Sequence, residues 1–345
     1  MHNCKNNTYL ITGGAGFIGS NFIEFLYKKE PKVKIRVLDK LTYSGNIENL
    51  NPFRTKSNFE FIHGDICDVK TVNQVIEGVD VVINFAAEVA VDRSINDSVN
   101  FLQTNVIGVY TLLNSLMRQQ KLKRFIHIST DEVYGHIFQG SFTERSELKP
   151  RNPYAASKCG GDRLAYSFFE TYGLPIVIIR ASNNYGPRAY LEKVIPLFIT
   201  NLINGHEIPI YGEGKQVRDW MFVEDHCRAI YMLIDNGING EVYNVGGNQE
   251  YTNKELAKKI LMLMNKDESL IKYVSDRPGH DFRYSLDCQK INGMGWYPQY
   301  DLMEGLNKTI SWYTHNKVWW QPLQRGMDQR YITGYWGAKS CVESS

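Results

Sequence analysis

Three short segments hold side chains whose types and spacing could do chemistry: Thr130-Asp131-Glu132, Tyr154 with Lys158, and the glycine run Gly13 to Gly19. Tyr154 and Lys158 stand at i and i+4 of a helix begun by Asn152-Pro153, so they share one face. An ammonium beside a phenol favours the phenolate, and Tyr154 could then act as a base near neutral pH. The same spacing also occurs on solvated helix faces that do no chemistry. Asp131 and Glu132 could be surface turn residues alone. Beside a base they can divide the roles of general acid and general base, if their surroundings push their pKa values apart. Thr130 adds a hydroxyl able to orient a substrate hydroxyl.

Gly13-Gly14-Ala15-Gly16-Phe17-Ile18-Gly19 fits both G-x-G-x-x-G (Gly14, Gly16, Gly19) and G-x-x-G-x-x-G (Gly13, Gly16, Gly19). Missing β-carbons let the chain turn tightly and bring a helix N-terminus against a pyrophosphate, where unpaired N–H groups favour anions. By itself the run could be an ordinary glycine turn. A strand enters it, a helix leaves it, and a second strand ends at Asp39, 20 residues beyond Gly19. An acid there suits the ribose hydroxyls of NAD and repels the 2′-phosphate of NADP, although Lys40 weakens that preference. Later strand ends, Gly64-Asp65-Ile66 and Phe85-Ala86-Ala87-Glu88, should face the same ligand. Asp65 could instead be only a helix N-cap.

The elements that must position these groups follow from periodicity. Apolar runs predict strands at Thr8–Thr12, Ile35–Asp39, Phe59–His63, Val79–Phe85, Arg124–Ser129 and Ile176–Arg180, continuous as in strands buried on both faces. Helical patterns fall at about 17–29, 70–77, 100–119 and 153–172. The alternation predicts an α/β fold, a Rossmann-type doubly wound parallel sheet over residues 1–185. Beyond it the rhythm changes, with helices near 193–204, 225–236, 252–264 and 302–315 and a strand at Ile208–Tyr211. Residues 186–345 are expected to form mainly a smaller, interwoven substrate lobe, with some later segments returning to the first sheet. The stretch from Trp319 to Ser345 reads either as an ordered extension or as a loose tail.

The bulk composition narrows the function classes. The chain has 345 residues, 39 basic and 37 acidic, for a net charge of +2. That balance gives no reason to expect nucleic acid or a membrane surface as a partner. Six scattered cysteines (Cys4, Cys67, Cys159, Cys227, Cys288, Cys341) show no paired or metal-binding spacing, so no metal is expected and free thiols point to the cytoplasm. No apolar run reaches the length of a membrane helix or a signal peptide.

The glycine run, Tyr154 and Lys158 together resemble the extended short-chain dehydrogenase/reductases. The string Ser129-Thr130-Asp131-Glu132-Val133-Tyr134-Gly135 is similar to that of the dTDP-glucose 4,6-dehydratases, NAD-dependent members of that family. The likeness continues through Leu38 to Tyr43, Gly64 to Asp68, Val91 to Ser94, Thr104 to Gly108, Ser182 to Pro187, Glu192 to Pro196, Arg218 to Trp220 and Asp276 to Asp281. It implies that NAD is held by Gly13, Gly16, Phe17, Ile18, Gly19 and Asp39, with Lys40, Leu41 and Thr42 beside them. Asp65, Ile66, Phe85, Ala86, Ala87, Thr104, Asn184, Tyr154 and Lys158 complete that set. It implies catalysis by Thr130, Asp131, Glu132, Tyr154 and Lys158: C4 oxidation, elimination of water across C5 and C6, and hydride return to C6. A nucleotide sugar would meet Glu88, Thr130, Asn183, Glu192, Lys193, Val194, Pro209 and Tyr211, and then Arg218, Asn253, Arg277 and His280. An Arg fork suits a diphosphate, and Arg218 is assigned that role, its alternative being a salt bridge with Asp219 or Glu224. A homodimer through helices 100–119 and 153–172 is a further implication.

The pattern is broken in places. Val89-Ala90 stands where the family has Ser-His, Asn84 where His is common, and Arg188 to Leu191 replace an aromatic-Pro run. These leave open the nucleotide, thymidine or uridine, and the hexose. Two other functions share parts of the pattern. A UDP-sugar 4-epimerase or decarboxylase would use Tyr154 and Lys158 but needs no paired acids, and a non-catalytic Rossmann binding protein would be expected to lose one of them.

Overall fold

The computed structural model describes residues 7–276 and 279–325; Cys4, Arg277, Cys341 and the tail beyond Arg325 lie outside the described residues. Seven parallel strands form the main sheet: β1 (Thr8–Thr12), β2 (Lys34–Asp39), β3 (Phe59–His63), β4 (Val81–Asn84), β5 (Arg124–Thr130), β6 (Ile176–Ala181) and β10 (Val242–Val245). Their order is β10-β6-β5-β4-β1-β2-β3. The strand order therefore reverses between β1 and β4, where open α/β sheets place their ligands. β4, β5 and β6 are buried at every position, which explains why they are mostly apolar and why their polar members, Asn84, His127 and Arg180 among them, are hydrogen-bonded inside. β10 arrives from beyond residue 185 and pairs with β6, Val242 opposite Ile178.

Helices α1 (Phe17–Lys29), α2 (Val69–Val75), α3 (Val91–Asn96), α4 (Val99–Leu102), α5 (Val109–Leu116), α6 (Pro153–Tyr172) and α8 (Val223–Asn236) accompany this sheet. One group packs through Phe22, Ile23, Ile230 and Leu233, another through Leu112, Leu113, Leu116 and Phe168. α1 and α6 match the expected spans because glycine, Asn-Pro and Gly173 mark their ends locally.

The expected helix 100–119 is present without a break but is not uniform and stops short of 119. It is α4, then a π turn over Gln103–Gly108, then α5, which ends at Leu116. The wide turn brings Asn105 to the Glu88 peptide: its Oδ1 accepts from Glu88 N at 2.9 Å and its Nδ2 donates to Glu88 O at 3.1 Å. Nδ2 also donates to Ser157 Oγ at 2.9 Å, tying the end of β4 to α6. Two satisfied backbone groups offset the cost of the irregular turn.

The second lobe contains β7 (Asn183–Tyr185), α7 (Val194–Ile203), β8 (Ile208–Tyr211), β9 (Val217–Phe222), β11 (Glu250–Thr252), α9 (Asn253–Leu263) and β12 (Ile271–Val274). α10 (Gln289–Asn292) leads on to α11 (Leu302–His315) and α12 (Lys317–Arg325). Its small sheets are β11-β9-β7 and β12-β8. Tyr185, Phe198, Trp220, Leu256, Leu306 and Tyr313 form its core. The start of the Trp-rich tail is ordered: Trp320 is buried and donates from Nε1 to Tyr313 O at 2.8 Å. Among the described residues no helix is long and apolar enough to cross a membrane.

Candidate active site

β1 enters the glycine turn with Gly13 at φ +68°, and a Cβ there would stand 2.6 Å from Ala86 N. The turn thus lies directly on the Phe85-Ala86 backbone at the end of β4. A Cβ on Gly19 would meet Gly13 O at 2.5 Å, so the first turn of α1 packs against the same loop. α1 starts from Gly16 with no side chain capping it. Its first N–H groups, those of Phe17, Ile18 and Gly19 among them, are offered to an anion rather than to a cap.

Asp39 ends β2 buried. Its Oδ2 accepts from Ala15 N and its Oδ1 from Leu41 N, at 2.9 and 2.8 Å. Burial pushes this carboxyl up, against the pull of those two N–H groups. Asp39 therefore also holds the glycine turn and the left-handed backbone of Leu41, at φ +54°. The N-cap alternative for Asp65 does not hold, because Asp68 caps α2. Asp65 pairs with Lys40 at 2.7 Å instead, and Thr42, Ile66 and Thr104 lie partly or wholly buried around this edge.

The catalytic candidates converge. Thr130 closes β5 and caps the short 3-10 turn Asp131–Tyr134, accepting from Glu132 N at 3.3 Å. Its hydroxyl donates to Asp131 Oδ1 at 3.1 Å and also hydrogen-bonds the Tyr154 phenol. Asp131 Oδ2 is buried and has no partner. Burial, then the charge of Glu132, raises the Asp131 carboxyl well above the usual range, which favours its protonated form. Glu132, half-buried, accepts through Oε2 from Asn152 Nδ2 and from the Tyr284 hydroxyl, both at 3.4 Å. Asn152 also caps α6, accepting from Ala155 N at 2.8 Å. One residue thus fixes both the helix that bears Tyr154 and the carboxylate facing it.

The expected lowering of the Tyr154 pKa by Lys158 is not what the structure shows. Burial, then the charges of Glu132 and Asp131, holds the phenol well above its ordinary value. The Lys158 ammonium is instead anchored on Ile128 O at 2.6 Å. Burial brings Lys158 down to about 8. Two of its three N–H bonds remain for a ligand on the cofactor side.

Apart from Glu88 and Thr130, the expected substrate contacts within the described residues lie on the second-lobe segments from β7 to the loop after β12. Glu192 is paired with Arg93 through both carboxylate oxygens, with Nε to Oε2 at 3.1 Å, and Arg93 stacks on Tyr43 at 3.9 Å. Lys193, immediately before Val194, reaches Val89 O at 3.4 Å. The Glu88 carboxyl hydrogen-bonds Tyr43, with burial raising its pKa. In the position where Ser-His was expected, the Val89 N–H goes to Tyr43 Oη at 3.4 Å, and Tyr43 meets Tyr190 edge-on. The two departures from the family pattern therefore touch a common side chain. Arg218 is buried, bonded to Val217 O and Asp281 O at 2.7 and 2.9 Å and stacked over Tyr284 at 4.3 Å. The alternative salt bridge with Asp219 or Glu224 is absent among the described residues; Asp219 accepts from Gly247 N and Gln249 N instead. Pro209 and Tyr211 lie on β8, and His280 meets Tyr211 edge-on while bonded to Asp276 at 2.6 Å. Asn253 opens α9, its N–H on Gln216 O at 3.0 Å. Asn183 presents a buried Oδ1 without a partner, and Asn184 is held by His226 Nδ1 at 3.1 Å and Ser182 O at 2.9 Å. Tyr284 was not found from sequence; it stands 152 residues from Glu132, three residues beyond the family-like string that ends at Asp281.

Residues 10–309 match the family model described as GDP-mannose 4,6 dehydratase. The chain belongs to this family of nucleotide-sugar dehydratases, hydro-lyases of the extended short-chain dehydrogenase/reductase type. Within it, a dTDP-glucose 4,6-dehydratase of Streptomyces niveus is 48% identical over 91% of this chain and 95% of its own length. The crystal structure of the dTDP-glucose 4,6-dehydratase of Streptomyces venezuelae, with NAD and TYD bound, superposes with a TM-score of 0.89 at 47% identity, covering 92% of this chain and 99% of that one. A UDP-glucose 4-epimerase of Thermotoga maritima has the same fold, with a TM-score of 0.83, but only 30% identity over 90% of this chain and 99% of its own.

The neutral Asp131 gives a stability test. Its folded pKa lies above its unfolded value, so between the two the folded state holds a proton that the unfolded chain releases. Stability therefore falls as pH rises across that interval, by about 1.4 kcal/mol for each pH unit crossed. Asp131→Asn should melt above the wild type at about pH 8 and lose the advantage below about pH 4, where the wild-type carboxyl is protonated in the folded and unfolded states alike. A melting temperature unchanged or lowered at the alkaline end would contradict a neutral, buried Asp131.

Proposed function

We propose that the chain converts dTDP-glucose, or a related nucleotide-activated hexose, into the 4-keto-6-deoxy sugar, with NAD as its resident cofactor. The observation that carries this reading is the buried Asp131 carboxyl, its Oδ2 without a partner, next to Glu132 and within one hydrogen-bonded cluster with Thr130 and Tyr154. Oxidation at C4 alone needs a single base. Expelling a hydroxyl from C6 needs one group with a proton to give and another able to take one.

The glycine turn, the uncapped start of α1 and Asp39 fit the pyrophosphate and ribose of a dinucleotide, and Lys158 fits its second ribose. NAD bound there would supply the acceptor and donor for the hydride exchanged between C4 and C6, and its oxidised form would add a positive charge that favours the Tyr154 phenolate. Tyr154 takes the C4 hydroxyl proton, with Thr130 orienting that hydroxyl. The resulting ketone acidifies C5–H, and Glu132 removes that proton. Asp131 protonates the departing C6 hydroxyl, which burial equips it to do. Arg218, fixed by two carbonyls and a ring face, is assigned to the diphosphate, with Tyr211, His280, Asn253 and Arg277 as further substrate contacts that the family resemblance implies. Glu192 acts mainly by fixing Arg93 beneath Tyr43.

We further propose a cytoplasmic homodimer, in keeping with the free Cys67, Cys159, Cys227 and Cys288. Leu102 on α4, Ile107 in the π turn, Tyr110 on α5 and Met117 just after it, with Tyr166 and Tyr172 on α6, are exposed apolar side chains on neighbouring segments. Such a face supports pairing with a second copy.

Two experiments test these readings. With dTDP-glucose, the wild-type protein should release a product lighter by one water. Glu132→Gln should still oxidise C4, seen as reduced-nicotinamide absorbance, while water loss slows by ~100-fold or more. Normal water loss in that variant would remove Glu132 as the base, and a product of unchanged mass from the wild type would remove the dehydratase reading. Light scattering should give twice the chain mass for the wild type and a shift toward the monomer for Tyr110→Asp. A monomeric wild type would contradict the dimer.

A further inference from the structure

Tyr284 lies between two carboxylates. Its hydroxyl is 2.6 Å from Asp281 Oδ2 and 3.4 Å from Glu132 Oε2. A phenol has one proton, so it cannot donate fully to both oxygens. With Glu132 ionised, that proton belongs to the short bond with Asp281. Once Glu132 has taken a proton, the same line of atoms reads in the other direction: Glu132 donates to the phenol oxygen.

The line continues outward. Asp281 is buried, and its Oδ1 lies 3.1 Å from Arg151 Nη1 and 3.7 Å from His136 Nδ1. Arg151 also hydrogen-bonds His136. The His136 side chain is one-quarter exposed, and of the two it is the one that can pass a proton on, because a guanidinium keeps its protons. His136 Nδ1 also faces Arg151 Nη1, so a small rotation of the imidazole toward Asp281 Oδ1 closes the 3.7 Å to a direct hydrogen bond. The Tyr284 ring is fixed by the Arg218 guanidinium stacked on it, so the hydroxyl has little freedom to turn away. Burial, together with the charge of Glu132, keeps the phenol protonated, as a group that passes a proton without holding the charge.

We propose that Tyr284 and Asp281 form a proton relay that exchanges the proton taken up by Glu132 with solvent through His136. The inference rests on the dehydratase reading above. When C5–H breaks, its electron pair moves into the C4 carbonyl and the proton goes to Glu132 Oε2. Glu132 then passes a proton to Tyr284 Oη while the phenol proton moves to Asp281 Oδ2 and on to solvent. The reverse passage brings a solvent proton back to Glu132, which delivers it to C5 when the hydride reaches C6. No electrons are gained or lost by the protein, and every proton that leaves is replaced.

The test is turnover of dTDP-glucose in heavy water, reading the deuterium at C5 of the product. The wild type should give a product lighter by water and deuterated at C5. Tyr284→Phe keeps the ring under Arg218 and removes only the relay atom. Exchange should slow by ~100-fold, the lower range for a positioned proton-transfer group, so that most product retains the original C5 protium. Asp281→Asn, which keeps the side chain's shape but not its basicity, should do the same. A purely structural role for Tyr284 would change rate or melting temperature without changing this isotope content. If both variants give product deuterated at the wild-type level, the relay is overturned while the dehydratase reading stands. If both oxidise C4 yet release no water, these residues act in the elimination itself and the relay is again overturned. A wild-type product of unchanged mass would sink the dehydratase reading instead.

Discussion

The site depends on one buried ion pair. Asp162 on α6 and Arg180 on β6 are joined by two bonds of 2.9 Å, both residues almost wholly inaccessible. Burial alone would push Asp162 up; the Arg180 fork and Arg163 more than reverse it and hold the carboxyl well below the usual range. Arg180 Nη1 also donates to the Tyr134 hydroxyl at 2.8 Å, and Tyr134 donates to Asn244 on β10 at 2.8 Å. Asp162 lies one helical turn beyond Lys158, and Tyr134 two residues beyond Glu132. The pair therefore fixes the helix that carries the redox residues against the turn that carries the acid and base. Removing one partner of such a pair costs about 3–5 kcal/mol, because the other charge stays buried.

A second polar chain runs behind the site. Thr12 donates to Asn84 at 2.6 Å, and Asn84 meets His127 Nδ1 at 3.3 Å. Burial, then the nearby Lys158, brings His127 down to about 3, so it stays neutral. Asn84, which departs from the family pattern, is thus used to complete an interior network rather than to face a ligand. Asp131 is the opposite case. Its buried, unpartnered oxygen costs stability, as expected where a group is kept protonated for chemistry.

What was legible in the sequence was local. The glycine turn, helices 17–29, 153–172 and 302–315, and the strand ends at Asp39 and Thr130 are marked by caps, periodicity and small residues within a few positions. The gathering of Thr130, Asp131, Glu132 and Tyr154 was implied by the family resemblance, with the strand and helix spans placing each of them at an element end. The rest was set by distant partners. The π turn at Gln103–Gly108 exists for the Glu88 peptide, and Lys158 turns to Ile128 O because a buried ammonium needs an acceptor. Tyr190 and Val89 share Tyr43 across the cleft. Tyr284 stands three residues beyond the family-like string that ends at Asp281, and its meaning comes from the folding of that segment onto Glu132.

If one pocket both oxidises C4 and removes water across C5 and C6, the hydride taken from C4 must return to the same sugar without release of the cofactor in between. Turnover of dTDP-glucose carrying deuterium at C4 tests this most directly, by mass and by the position of the label. The expected product is lighter by one water, with the deuterium in its new methyl group. A product of unchanged mass with the deuterium still at C4 would contradict it.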